Sequence, residues 1–381
     1  MRHHVYLIPG MFGFSRLASF DYFVHVVHAL ERRFRHAGQE LELHVVDVAP
    51  TASIRRRAAK LAEVVGATAT DGAIHLLGHS TGGLDARVVA SPHSRYAHAE
   101  EAQRWLPRLR SVTTMNTPHY GTPLATFFAT SQGQRALYAL SVFTIIGLSL
   151  GRRPLGVAST LIALVSRGDQ ALGLELRVLD KSVERVLGLV DHARSPEVRT
   201  FLDAIKADQG AVLQATPEAM DLMLAGVEDR PGVAYQCTAS MAPVPSPGKW
   251  LRMLRSPWRT TSLMLFTALH RITASVTGSY PCAALADGDE PTLALPDVKD
   301  NDGVVPFRSQ LWGKLVWSGP GDHLDVLGHY RDDRPRHGTD LRHQDWLTSG
   351  SDFTHAHFEA LLDAVAGGML HASRRGLAGV S

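Results

Sequence analysis

Cysteine is nearly missing from this chain: 381 residues contain two, Cys237 and Cys282. That excludes a disulfide-stapled scaffold, which needs several bridges to replace a core. Whether the two pair depends on a geometry that sequence does not supply, and free thiols are the expectation. An excess of one charge is also missing, because 39 basic residues stand against 37 acidic ones for a net charge of +2. No field gathers a polyanion, so nucleic acid is excluded as a general partner. No apolar run reaches the ~20 residues of a membrane span. The longest, residues 136–150, is closed by Arg152 and Arg153. Internal repeats are absent too. What the chain does have is 45% hydrophobic residues, 33 glycines and 20 prolines, enough for a sizeable core and, by length, for two or three domains.

The most telling stretch is the apolar run Ile74-His75-Leu76-Leu77, followed by Gly78-His79-Ser80-Thr81-Gly82-Gly83 and then Leu84-Asp85-Ala86-Arg87-Val88-Val89. It reads as strand, sharp turn and helix. A serine at the apex of such a turn is held clear of the sheet, and only small residues fit beside it. Ser80 is thus the candidate nucleophile. Gly147-Leu148-Ser149-Leu150-Gly151 has the same pattern, but it follows a long apolar stretch and runs into Arg152-Arg153-Pro154. A proline there argues against the helix that the motif requires, and Ser149 is read as part of a turn between two apolar helices.

Serine needs a base to take its proton and a carboxylate to orient that base. Asp300-Asn301-Asp302-Gly303 supplies an acidic turn, and Gly321-Asp322-His323-Leu324-Asp325 a loop histidine, with a short strand at 315–317 between them. Ser80, Asp302 and His323 follow the order nucleophile, acid, base. Asp297 and Asp300 are rivals to Asp302. Among 20 histidines, His355 and His357 fall in an amphipathic helical pattern over 353–369, and His329, His337 and His343 in or beside a charged stretch with no zinc-like spacing. His79 adjoins the nucleophile and is expected to shape the site wall.

These islands resemble bacterial triacylglycerol lipases of the α/β-hydrolase superfamily, the Pseudomonas and Burkholderia type. Pro9-Gly10-Met11-Phe12-Gly13-Phe14 resembles the family's oxyanion loop, with Pro9 where the family usually has histidine. Residues 78–87 resemble its nucleophile elbow and Asn116-Thr117-Pro118-His119 the segment after the next strand. Asn301-Asp302-Gly303 and His323-Leu324-Asp325 resemble its acid and histidine turns. The resemblance implies backbone oxyanion donors at Met11 and Thr81, and substrate contacts at Phe12, His79, Leu140, Phe143 and Ile146. It also implies a structural calcium ion at Asp325 with Asp289, set against the plainer reading of two solvated aspartates. Against calcium, the stretch 289–302 is shorter than usual and a family glutamine is His329 here. The chemistry itself needs no cofactor.

Strands are expected at 5–8, 41–48, 73–77, 111–115, 233–238 and 315–317, and helices at 20–36 and 54–65. That alternation predicts an α/β fold, a mostly parallel sheet flanked by helices. Residues 1–123 and 231–381 are the expected catalytic core, 124–230 an inserted helical cap or lid, and 241–280 a further cap element. The run Arg55-Arg56-Arg57 is read as a solvated helix face. The expected activity is hydrolysis of acylglycerols or other long acyl esters at a lipid–water interface through an acyl-enzyme on Ser80. The alternatives are a carboxylesterase for short soluble esters, an acyltransferase, and a silent ligand- or partner-binding relative. With no leader before the first strand, the reading is cytoplasmic, or secreted if a leader is lacking. The sequence leaves oligomeric state open.

Overall fold

The computed structural model describes residues 1–11, 16–17, 20–97, 99–150, 195–253, 256–275, 296–332, 334, 341, 343, 345 and 347–378. Six strands form one parallel sheet: β1 (Arg2–Ile8), β4 (Glu40–Val45), β5 (Ala73–His79), β6 (Leu109–Met115), β7 (Ala234–Met241) and β8 (Lys314–Pro320). Their spatial order is β4-β1-β5-β6-β7-β8. A two-residue hairpin, β2 (Arg16–Leu17) with β3 (Phe20–Asp21), stands apart. It occupies the start of the helix expected from residue 20, so α1 (Val24–His36) begins later. All six sheet strands coincide with expected ones, although β4 stops three residues short of 48.

Alternation along each strand builds two cores. On β1, Tyr6 and Ile8 face a layer made by α2 (Ile54–Thr68) and α3 (Thr81–Ala90), with Leu61, Val65, Leu84 and Trp105. Val5 and Leu7 face α1 and α12 (His355–Ala378), with Leu30, Phe34, Leu361 and Met369. Apolar side chains at spacings of three and four give α1 its buried stripe of Val26, Ala29, Leu30 and Phe34. β5 is buried along its whole length, as a central strand covered on both faces must be.

The chain runs from β1 outward to β4 and then returns to β5 on the other side of β1. The strand order therefore reverses at the β1/β5 boundary, and ligands of open parallel sheets bind at the carboxyl ends of such a boundary. α4 (Ala99–Ala102) precedes β6, and after β6 come α5 (Pro123–Phe128), α6 (Ser131–Leu150), α7 (Ser195–Ala207), α8 (Gly210–Gln214) and α9 (Pro217–Leu224), the helices of the expected insertion among the described residues. α10 (Pro247–Met253) and α11 (Pro257–Thr273) follow β7. No helix among the described residues is long and apolar enough to cross a membrane.

Candidate active site

Ser80 stands where β5 stops and α3 begins, with φ 54° and ψ −131°. Side-chain-bearing residues avoid that region, and a turn of this kind lifts the hydroxyl off the sheet. Two backbone bonds hold it: Ser80 N–H donates to the Met115 carbonyl at 2.9 Å, and Gly83 N–H to the Ser80 carbonyl at 3.1 Å. The register pairing Ile8 with Gly78 sets the end of β1 beside this turn. Contact is so close that a Cβ on Gly82 would lie 2.2 Å from the Ile8 carbonyl oxygen, and one on Gly10 2.5 Å from Ser80 Cβ. Met11 and Thr81, the expected oxyanion donors, thus belong to segments that meet at Ser80. Thr81 opens α3, so its N–H has no partner within the helix. Ser149 has no such setting, because α6 is helical through it to Leu150.

His323 Nδ1–H donates to Asp302 Oδ2 at 2.7 Å, and the His323 backbone N–H to the Asp302 carbonyl at 3.0 Å. Val304 and Val305 N–H donate to Oδ1 at 2.9 and 2.7 Å, and Asn116 Nδ2 to Oδ2 at 2.8 Å. Four donors fix one carboxylate, and with the imidazole proton on Nδ1 the Nε2 lone pair of His323 is left to accept. Asp297 and Asp300 bond instead within their own turn. Asn116, at φ 50° and fully buried, also donates to Ser240 Oγ at 2.6 Å. Its part in holding the acid was not read from the sequence; the Asn-Thr-Pro-His segment was the only signal.

His79 corrects an expectation. Its side chain is fully buried rather than in the site wall. Nε2–H donates to the His323 carbonyl at 2.9 Å, which leaves Nδ1 to accept the Tyr22 hydroxyl at 2.7 Å. The Tyr22 oxygen in turn accepts the backbone N–H of Gly10. Burial, then the neighbouring His323, keeps His79 well below the ordinary imidazole range, so this tautomer is neutral. Its ring lies 4.7 Å from that of His323. One chain of hydrogen bonds thus joins Gly10 of the expected oxyanion loop, the residue before Ser80 and the loop of His323.

Arg57 corrects another. Instead of facing solvent with Arg55 and Arg56, it is 1% exposed and pairs with Asp85 of α3 at 2.8 Å. It also donates to the Pro9 carbonyl at 2.5 Å and the Ala49 carbonyl at 3.0 Å. A buried guanidinium therefore anchors the loop in which Pro9 replaces histidine. Burial raises Asp85 to about 6 despite this partner. Periodicity missed Arg57 because charge alone cannot say which arginine of a run turns inward.

Leu140 is buried in α6. Phe143 and Ile146 lie on the same helix, with side chains outside the described residues. Phe12, Asp289 and Cys282 lie outside them altogether. Cys237 is a buried free thiol pushed up to about 12 by burial, unsuited to chemistry. Asp325 is buried, and its Oδ2 accepts from Asp322 N–H at 2.9 Å and Ser351 Oγ at 2.6 Å. That donor set fits a hydrogen-bonded carboxylate, not a calcium ligand on this oxygen.

No family model matches the chain. It is 38% identical over 93 residues to a triacylglycerol lipase of Vibrio cholerae and 30% identical over 129 residues to one of Pseudomonas fragi. Those matches cover 24% and 32% of this chain, and only 28% and 37% of the two relatives. The solved structure of Staphylococcus hyicus lipase superposes with a TM-score of 0.51 at 14% identity, covering 98% of this chain and 96% of that one. The superposition bears on fold: the chain has the α/β-hydrolase fold, and over these stretches of 93 and 129 residues it is similar to bacterial triacylglycerol lipases.

Proposed function

We propose that this protein is a serine ester hydrolase, a lipase that cleaves acylglycerols or other long acyl esters with Ser80, His323 and Asp302 as its catalytic triad. The observation that carries the reading is the 2.7 Å bond from His323 Nδ1 to an Asp302 held by three further donors, beside a serine on a strained strand-to-helix turn. His323 Nε2 takes the Ser80 proton as Oγ attacks the ester carbonyl. The backbone N–H groups of Met11 and Thr81 bind the resulting oxyanion, each worth about 3 kcal/mol of barrier. The protonated His323 hands its proton to the leaving alcohol, and water, deprotonated by the same imidazole, releases the acid from the acyl-enzyme.

Residues 124–230 act as cap and lid in this reading. Two of its helices expose leucine, Leu213 at 53% and Leu222 at 80%, and in this reading these two side chains meet acyl chains or a lipid surface. The test is hydrolysis of p-nitrophenyl esters from short to long chain, with emulsified substrate as a second arm. A long-chain optimum and a sharp rise once droplets form support the lipase; a short-chain optimum without that rise assigns a carboxylesterase. Product trapped on added alcohol instead of water would point to an acyltransferase.

A further inference from the structure

At the far end of the sheet from Ser80, we propose that His4, Glu42 and His44 bind one zinc ion, which clasps the edge strand β4 to β1. The parallel register pairs His4 with Glu42 and Tyr6 with His44. Because side chains alternate along a strand, Glu42 and His44 share one face of β4, and His4 reaches that face from β1. His4 Nδ1 lies 3.4 Å from His44 Nε2 and 3.4 Å from Glu42 Oε2, with 3.9 Å between the latter two. Zinc bonds of about 2.0–2.2 Å in a tetrahedron place ligand atoms about 3.3–3.6 Å apart, close to this triangle. His4 is 1% exposed, while Glu42 and His44 are 47% and 22% exposed, so a water can complete the fourth position from the solvent side.

The setting of His4 argues for a cation. Its Nε2 is buried without a hydrogen-bond partner and lies 3.6 Å from Asp71 Oδ1. A carboxylate at that distance draws the imidazole proton to Nε2, as the outer carboxylates of metal-bound histidines do. Nδ1 is then a lone pair that accepts Nε2–H of His44 in one tautomer and, with the His44 proton on Nδ1, joins His44 Nε2 and Glu42 Oε2 as a set of three ligand atoms for a cation. Glu40, Glu42 and Asp71 surround the spot with three negative charges, and the single guanidinium of Arg2 pairs with all three at 3.4, 3.6 and 3.2 Å, taking Oε1 of Glu42 and leaving its Oε2 toward His4.

A second group, Asp332, His343 and His355, also converges, but its atoms are engaged. Arg334 takes both Asp332 oxygens at 2.8 and 2.7 Å, and the Tyr330 hydroxyl lies 3.4 Å from His343 Nε2 and 3.0 Å from His355 Nδ1. The site at His4 is structural in role: His4 pairs with Ile74, and Ser80 follows on the same strand about 20 Å further along at ~3.3 Å per residue.

The experiment uses the full chain, stripped with a chelator and titrated with zinc against a chromophoric competitor, beside Glu42→Gln, His44→Gln and Asp71→Asn. One equivalent should bind, each ligand variant should weaken binding at least tenfold, and Asp71→Asn should cost between ten- and a hundredfold. Cobalt should give the intense visible absorption of a tetrahedral site in the wild type and not in Glu42→Gln. Zinc should raise the melting temperature of the wild type alone. The proposal is overturned if no zinc binds at micromolar concentration. It is equally overturned if the variants bind zinc as tightly as the wild type, which would put the ion elsewhere.

Discussion

The carboxyl end of the sheet and the helical insertion are built on different principles. Around Ser80 a run of polar side chains is fixed by partners that are themselves fixed: Asn116 and two backbone amides hold Asp302, Asp302 holds His323, and His79 ties the His323 carbonyl through Tyr22 to Gly10. In α8 and α9 the corresponding residues are leucines left in solvent. Directional bonds hold a reacting geometry to fractions of an ångström, while apolar contact is tolerant of shape. The proposed function places chemistry at the rigid end and substrate choice at the tolerant one.

If that contrast holds, the largest effects come from the rigid end. Ser80→Ala and Asp302→Asn should each lower kcat by about 10⁴-fold or more, and the double variant by little beyond either, since the residues act as a unit. Asn116→Gly keeps the positive φ while removing one donor to Asp302, and should lower kcat about tenfold with KM unchanged, equivalent to ~1.4 kcal/mol. Tyr22→Phe breaks the link between Gly10 and His79 and should cost about fivefold in kcat on all esters alike. At the tolerant end, Leu222→Glu should lower hydrolysis of long-chain esters by about twofold and leave short-chain rates unchanged; an equal loss on both would erase the contrast.

The smallest effect is one of stability. Burial, the main cause, lowers His329 to about 4, against ~6.5 when unfolded. The unfolded chain binds the proton first, so this group's contribution is complete above pH 6.5 and is lost as pH falls toward 4. His329→Gln can keep a donor to the Tyr22 carbonyl without titrating. Its melting temperature should therefore fall less between pH 7 and 4 than that of the wild type.

Much of the fold was legible because strand periodicity and the Gly-x-Ser-x-Gly turn are local signals; all six sheet strands fell where alternation put them. Asp302 was separable from Asp297 and Asp300 only through the Asn-Asp-Gly turn, and the structure gives the reason: its neighbours' amides close on its own carboxylate. Arg57 and His79 were misread because inward or outward direction depends on partners far along the chain, Asp85 and Pro9 for one, Tyr22 and His323 for the other. The convergence of His4 with His44 was invisible for the same reason, since it follows from strand register and not from spacing in sequence.

The central claim is that one serine, on the elbow after β5, is the nucleophile. Labelling the full chain with a p-nitrophenyl phosphonate, followed by peptide mapping, tests it most directly. The account predicts a single adduct on Ser80, formed at least a hundredfold more slowly in Asp302→Asn and absent from Ser80→Ala. An adduct on Ser149 or on any other residue, or labelling at an unchanged rate in Asp302→Asn, would contradict it.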